Sequence, residues 1–221
     1  MSHFNEDFIK FFKQLEKNNN REWFEKNKPR YFENVKQPFE DFIQEMLHRM
    51  HEDDESINIT PREAIFRIYK DVRFSKDKTP YKTCVSAILS SSGRKNFTVP
   101  GYYLELRSDE VRFYGGAHFL EKNQLQNLRE HIVSNLKEFE SLMKEKNFKK
   151  YFGEILGEQN KRIPKEFKEV AETQPLIANK QFYFFTKLDS SKILAKNFAD
   201  VLMKYYHAGK PMNKFLQKGM K

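Results

Sequence analysis

The hydrophobic pattern of this chain changes period twice, and that limits the folds open to it. From residue 4 to residue 51 apolar side chains recur every three or four positions, as on a helix. From 64 to 117 they alternate with polar residues, as on strands with one buried face. After Leu120 the helical spacing returns, broken once by "QFYFFTKL" (residues 181–188). Helices, a strand meander, helices, one returning strand and a last helix describe an α+β fold. The reading is one domain over residues 1–221, helical over 4–51, a meander over 64–117, and helical with one late strand over 120–217. It has a mostly antiparallel sheet of about five strands, packed by N-terminal and C-terminal helices.

The individual elements follow from local signals. Phe4, Phe8, Phe11, Phe12 and Leu15 form one apolar stripe, ended by the run Asn18–Asn20. Asn20 is placed to cap a helix beginning "REWF". Pro29 suits the first turn of a further helix, whose stripe runs from Tyr31 to Met50. Thr60-Pro61-Arg62-Glu63 reads as a capping box over a single turn. Four strands are expected in the meander: "AIFRIYKDVRF", "CVSAILS", "GYYLELRS" and "EVRFYGG", with Ser108-Asp109 as a tight turn between the last two. Their short connections imply antiparallel pairing. A helix starting at Ser190 or Ser191 is expected to stop at Gly209 and Pro211.

Composition narrows the class. The 22 Phe, with abundant Leu, Ile and Val, support a packed core in 221 residues. No run approaches the ~18 apolar residues of a membrane span. The opening "MSHFNEDFIKFF" lacks the basic start and apolar run of a secretory signal. A single cysteine, Cys84, forms no internal disulfide. These features point to a cytoplasmic protein with no membrane partner. The net charge of +9 raises the question of a polyanionic partner, although 29 of the 40 cations are Lys, which reads phosphate less specifically than Arg.

The charge is densest in "RIYKDVRFSKDKTPYK" (67–82), where six cations and two acids give 6 − 2 = +4. Strand geometry would put Phe66, Ile68 and Val72 on one face, and Arg67, Tyr69, Asp71 and Arg73 on the other. The second face is too polar for a core unless its groups pair with one another or meet a ligand. Arg67 and Arg73 flank Asp71 and would hold it ionised, leaving donors for an incoming anion. The loop adds Lys76, Lys78 and Thr79, stiffened by Pro80 before Tyr81 and Lys82. Equally, the same charges describe a salt-bridged solvent face.

Other constellations carry less. Gly115-Gly116 can mark a strand end where backbone approaches a ligand, with Tyr102 or Tyr103 above it, or simply a bend. Trp23 and Arg21 sit at a helix start, where anions are favoured, yet a lone Trp also serves as a core anchor. His48, His51 and the acids 52–54 read better as a solvated helix end than as a metal site. His118 has acid–base chemistry but no nucleophile context nearby, and Cys84 reads as an inert core thiol. No phosphate loop, dinucleotide fingerprint or zinc signature is present, so no cofactor or metal is expected.

"NNREWFEKNKPRY", "RIYKDVRFSKDKTPYKT", "PGYYLELRSDEVRFYGG" and "RIPKEF…LIANKQFYFFTKLD", in that order, resemble the uncharacterised bacterial and fungal family known as domain of unknown function 2461. The likeness runs from about Phe4 to about Leu216. It implies an α+β domain and no established activity, cofactor or catalytic residue. Its signature falls on Arg67, Tyr69, Asp71, Arg73, Phe74, Ser75, Asp77, Lys78, Pro80, Tyr81 and Lys82. Related sequences often carry His or Asn where this chain has Cys84, which weakens any mechanism needing an acid–base group there. A signature made of charged, non-core positions favours binding or an internal ion-pair network over a casual surface.

The leading expectation is therefore a polar pocket for a phosphate- or carboxylate-bearing small molecule. Arg67, Arg73 and Lys82 would clamp the anion, Asp71 would orient them, and Lys78, Tyr81, Tyr102, Tyr103, Gly115 and Gly116 would complete the site. Two alternatives stand beside it. One is a nucleic-acid-binding module using the basic hairpin and the Lys-rich tail. The other is a structural or partner-binding protein whose charged motif is an ion-pair network. Whether the protein is an enzyme, and its oligomeric state, do not follow from these residues.

Overall fold

The computed structural model describes residues 2–96 and 99–221. The fold is α+β, with four antiparallel strands in one sheet ordered β1-β2-β3-β4. They are β1 (Cys84–Leu89), β2 (Gly101–Arg107), β3 (Glu110–Ala117) and β4 (Phe182–Asp189). Ser108 and Asp109 join β2 to β3, and β4 is the late strand expected from "QFYFFTKL".

The strand expected over residues 64–74 does not form, so the sheet has four strands rather than five. Two isolated bridges, Ile65 with Ala87 and Tyr69 with Tyr81, are all that remains of it. The pairing slips between them. Phe66 N–H donates to Ser86 O at 2.9 Å and Lys82 N–H to Ile68 O at 2.8 Å. Between these pairs one side advances 68 − 66 = 2 residues and the other 86 − 82 = 4, which breaks the ladder. Further on, Lys70 N–H donates to Pro80 O at 2.9 Å, and Pro80 has no N–H to return the bond.

The chain packs as two compact units, one comprising Met1–Lys95, Tyr103–Phe113 and Lys187–Met203, the other Asn96–Tyr102, Tyr114–Thr186 and Lys204–Lys221. The first contains α1 (Glu6–Lys17), α2 (Arg21–Lys26) and α3 (Gln37–Asp53). Asn5 caps α1, and Asn20 caps α2 through a 2.9 Å bond from Trp23 N–H. Pro29 does open a helical turn, Lys28–Tyr31, but a π-helical turn at Phe32–Lys36 separates it from α3. Phe4, Phe8, Phe42 and Phe198 fill this core, Phe42 and Phe198 stacking at 5.0 Å. Thr60 and Glu63 form the expected capping box.

The second unit holds α4 (Lys122–Ser134) and α5 (Leu136–Lys144), with a core around Phe148, Phe152, Phe182, Phe184 and Tyr206. The C-terminal helix departs from expectation at both ends. Ser190–Leu194 is a 3-10 turn, and α6 spans Phe198–Gly219, passing through Gly209 and Pro211. A proline within a helix costs about 3 kcal/mol. Here the apolar stripe continues beyond it, burying Met212, Phe215, Leu216 and Met220, and this packing outweighs the break. Gly209 is no stop signal. A Cβ on it would lie 2.8 Å from Phe184 and 3.1 Å from the Tyr102 hydroxyl, so glycine permits close packing.

Candidate functional site

A polar concavity lies in the first unit, a cleft of about 490 Å³ between the end of α1, the 70–83 hairpin and the β1–β2 surface. Its wall is built by alternation along β2. Tyr102, Leu104 and Leu106 are buried on one face, which leaves Tyr103, Glu105 and Arg107 on the other, lining the cleft. The hairpin contributes Lys70, Asp77, Thr79, Tyr81, Lys82 and Thr83, and Cys84 begins β1. Glu16 and Asn19 complete the lining.

Tyr81 is the anchor of the hairpin. Its ring is buried and stacks on Phe24 with centroids 4.0 Å apart. Asn19 Nδ2 donates to Tyr81 O at 2.9 Å, and Tyr81 N–H donates to Asn19 Oδ1 at 3.1 Å. The asparagine side chain thus stands in for a neighbouring strand. The "NNNREWF" segment contributes to the site through Asn19 rather than through Trp23 or Arg21.

The charged motif divides. Lys82, Tyr81 and, from β2, Tyr103 reach the cleft; Arg67, Asp71, Arg73 and Lys78 do not. Arg73 grips Asp71 through Nε at 3.0 Å and Nη2 at 2.6 Å, with both side chains exposed (77 % and 46 %). The Arg73 side chain and N–H, with the Arg67 charge adding, hold the Asp71 carboxyl at about 2. Lys78 Nζ is spent on Val72 O at 2.9 Å. Lys70 pairs with Asp77 and donates to Thr79 Oγ1 at 2.9 Å, while Thr79 N–H closes the turn on Asp77 Oδ1 at 2.9 Å. These bonds keep Asp77 ionised well below the usual carboxylate range. The expected three-cation clamp is not assembled: Arg73 is neutralised by its neighbour, and only Lys82 of the three lines the cleft.

Tyr102, Gly115 and Gly116 have other work, in the second unit. Tyr102 is buried and its hydroxyl donates to Tyr206 O at 2.9 Å. A Cβ on Gly115 would lie 2.4 Å from the Phe184 ring, and Gly116, at φ +102°, would bring one within 2.3 Å of Phe182 O. The glycines lie within β3 and admit the neighbouring strand's ring and backbone. Strand and core packing, rather than a ligand, use the close approach at these glycines.

Within the cleft Glu105 is the electrostatic hub. It accepts from the Tyr103 hydroxyl at 3.0 Å and from Arg107 Nη1 at 3.1 Å, and Arg112 Nη1 lies 3.6 Å away. Burial raises the Tyr103 phenol, keeping it protonated at neutral pH. Burial, reinforced by Glu105, pushes the Cys84 thiol up to about 12, so it is not a thiolate nucleophile. Arg107 Nε–H makes no hydrogen bond, being 3.6 Å from Asp109. Lys82 is half-buried, its Nζ 5.2 Å from the centroid of the Phe66 ring, and no carboxylate among the described residues lies within ion-pair distance of it. Partial burial, with Arg67 adding and Cys84 and Glu105 opposing, lowers its ammonium pKa below that of an ordinary lysine.

Period two in "YYLELR" aligns Glu105 and Arg107 with Tyr103, so the sequence carries a signal for both. Asn19, Glu16 and Lys70 carry no such signal, since their place depends on how helix and hairpin meet. His118 lines a smaller recess of about 320 Å³ in the second unit with Phe119, Leu120, Glu121, Lys180 and Gln181. Among the described residues no group of three or more His, Cys, Asp or Glu is placed to hold a metal ion, and no helix is long and apolar enough to cross a membrane.

No curated protein and no solved structure matches the chain. A family model does, that of a conserved hypothetical protein, domain of unknown function 2461, over residues 7–215. The match takes in α1, the charged hairpin, the whole sheet and most of α6, so the chain belongs to that family.

Proposed function

We propose that the cleft beside Lys82 binds a small molecule bearing a phosphate or carboxylate group. The observation that carries this reading is the Lys82 ammonium, half-buried over an apolar ring with no carboxylate partner among the described residues. A cation so placed is costly unless something balances it. Elsewhere in the lining Lys70 pairs with Asp77 and Arg107 with Glu105, while Glu16 accepts from the Ser108 hydroxyl at 2.8 Å. The lining holds three cations (Lys70, Lys82, Arg107) and three acids (Glu16, Asp77, Glu105), which suits a ligand with one anionic group and a polar remainder better than a polyanion. A thermal-shift screen of phosphorylated and carboxylated metabolites tests it. Stabilisation by a specific compound that is lost in Lys82→Met and kept in Arg73→Ala supports the reading; stabilisation indifferent to Lys82 overturns it.

A second reading rests on Phe74. It is 95 % exposed, the Arg73 guanidinium lies 5.9 Å from its ring centroid, and Arg67, Lys76 and Lys78 of the same hairpin are exposed. A bare aromatic among cations is the arrangement that stacks a base and contacts phosphates. Binding to a single-stranded oligonucleotide that weakens with salt and drops in Phe74→Ala supports it. Retention that ignores salt contradicts it.

A further inference from the structure

We propose that the Lys82 amine forms a reversible imine with a small aldehyde or ketone that also carries a phosphate or carboxylate. The proposal rests on the anion-site reading of the cleft and adds a reaction to it. Lys82 differs in its surroundings from the other lysine of the cleft. Lys70 is held by Asp77 and Thr79, so its nitrogen is occupied and its charge matched. The Lys82 nitrogen has neither kind of partner among the described residues, is half withdrawn from water, and lies near an aromatic ring. Its lowered pKa frees a larger share of the amine at neutral pH than an exposed lysine has.

The chemistry needs no outside redox partner. The neutral Lys82 nitrogen attacks the carbonyl carbon, and a C–N bond forms as the C=O π pair moves onto oxygen. A proton passes from nitrogen to that oxygen, giving a carbinolamine. Dehydration then expels the oxygen as water, the second nitrogen proton is lost to solvent, and the C=N bond is complete. Amine plus carbonyl gives imine plus water. Tyr103 lines the same cleft, and its phenol, protonated and bonded to Glu105, is the proton donor available to the departing hydroxyl. Arg107 and the other polar groups of the lining hold the anionic end. The Cys84 thiol, protonated and buried, does not compete for the carbonyl.

The test uses pyridoxal 5′-phosphate as a probe that joins an aldehyde to a phosphate. The full chain is incubated with a sub-stoichiometric amount, reduced with borohydride and digested, and the label on each of the 29 lysines is measured by mass spectrometry. Label on Lys82 severalfold above that on the exposed Lys76 and Lys78 is the expected result. Lys82→Arg, which cannot form the imine, should lose this label, and the unaltered chain should be stabilised by pyridoxine 5′-phosphate, which has the phosphate and no aldehyde. Stabilisation by pyridoxine 5′-phosphate with Lys82 labelled no more than Lys76 and Lys78 overturns the imine and leaves the anion site standing. No stabilisation and no preferential label overturns both.

Discussion

Asn19 and Tyr81 are joined by two hydrogen bonds that pair a side-chain amide with a backbone amide, at 2.9 Å and 3.1 Å. Through them the turn after α1 fixes the hairpin strand that carries Lys82. Both backbone groups of Tyr81 would otherwise be left without these partners beside a buried ring. Asn19→Ala should cost about 1–3 kcal/mol. In a chain of this size that lowers Tm by several degrees. It should also weaken any ligand-induced stabilisation. A calorimetric scan of the variant with and without ligand checks both effects.

Lys82→Met should raise thermal stability, by ~1 kcal/mol, because it replaces an unmatched half-buried charge with an apolar chain of similar length. The sign with pH follows from linkage. The folded-state pKa of Lys82 is lowered, so between it and the ordinary value near 10.4 the unfolded chain binds the extra proton. Native stability therefore gains from Lys82 as pH rises through that window. The advantage of the Met variant should shrink over the same range, as denaturant titrations at neutral pH and near pH 10 will read.

The Arg73–Asp71 pair is well aligned and solvent-exposed, so its removal should matter little. Arg73→Ala and Arg67→Ala are expected to shift Tm by no more than about 1–2 °C. A marked loss in Arg67→Ala would instead support a structural ion-pair network.

Acid should loosen the tip of the hairpin before the rest of the molecule. Asp71 and Asp77 are held low by Arg73 and Lys70, so their contribution is complete above the ordinary carboxylate pKa near 3.9 and fades as pH falls through their folded values. The N–H groups of Arg73 and Thr79, bonded to these carboxylates at 3.3 Å and 2.9 Å, report it directly. The Arg73 amide resonance should move as pH falls through about 2, and that of Thr79 lower still, while those of β2 stay fixed.

Gly209→Ala sets helix propensity against packing. Propensity favours Ala by up to about 1 kcal/mol. The new Cβ would meet the fully buried Phe184 ring at 2.8 Å, and overpacking of this kind costs about 1–3 kcal/mol. A net loss of stability in chemical denaturation is the expected outcome.

Periodicity made most of this fold readable. Alternation in "GYYLELRS" and "EVRFYGG" located β2 and β3, and the capping residues Asn20 and Thr60 act where composition placed them. The first strand failed for a reason period two does not carry: a register slip of two residues and a proline where the ladder needed an N–H. Pro211 failed as a stop because the burial of Phe215 and Leu216 is a tertiary fact. At the site, alternation correctly gave Arg67, Asp71 and Arg73 a polar face, and nothing in it told whether a cleft lay beside them. Lys82 was legible as a cation; that no carboxylate among the described residues forms an ion pair with it emerges only when Glu105 turns to Arg107 and Asp77 to Lys70.

The state of the Lys82 ammonium bears on the account most directly. It can be followed by the ¹³Cε resonance in lysine-labelled protein, assigned by its disappearance in Lys82→Arg. The resonance should titrate below the exposed lysines, and its midpoint should rise when inorganic phosphate or a stabilising anionic compound is added. A Lys82 resonance that titrates with the exposed lysines and ignores every anion would contradict the account.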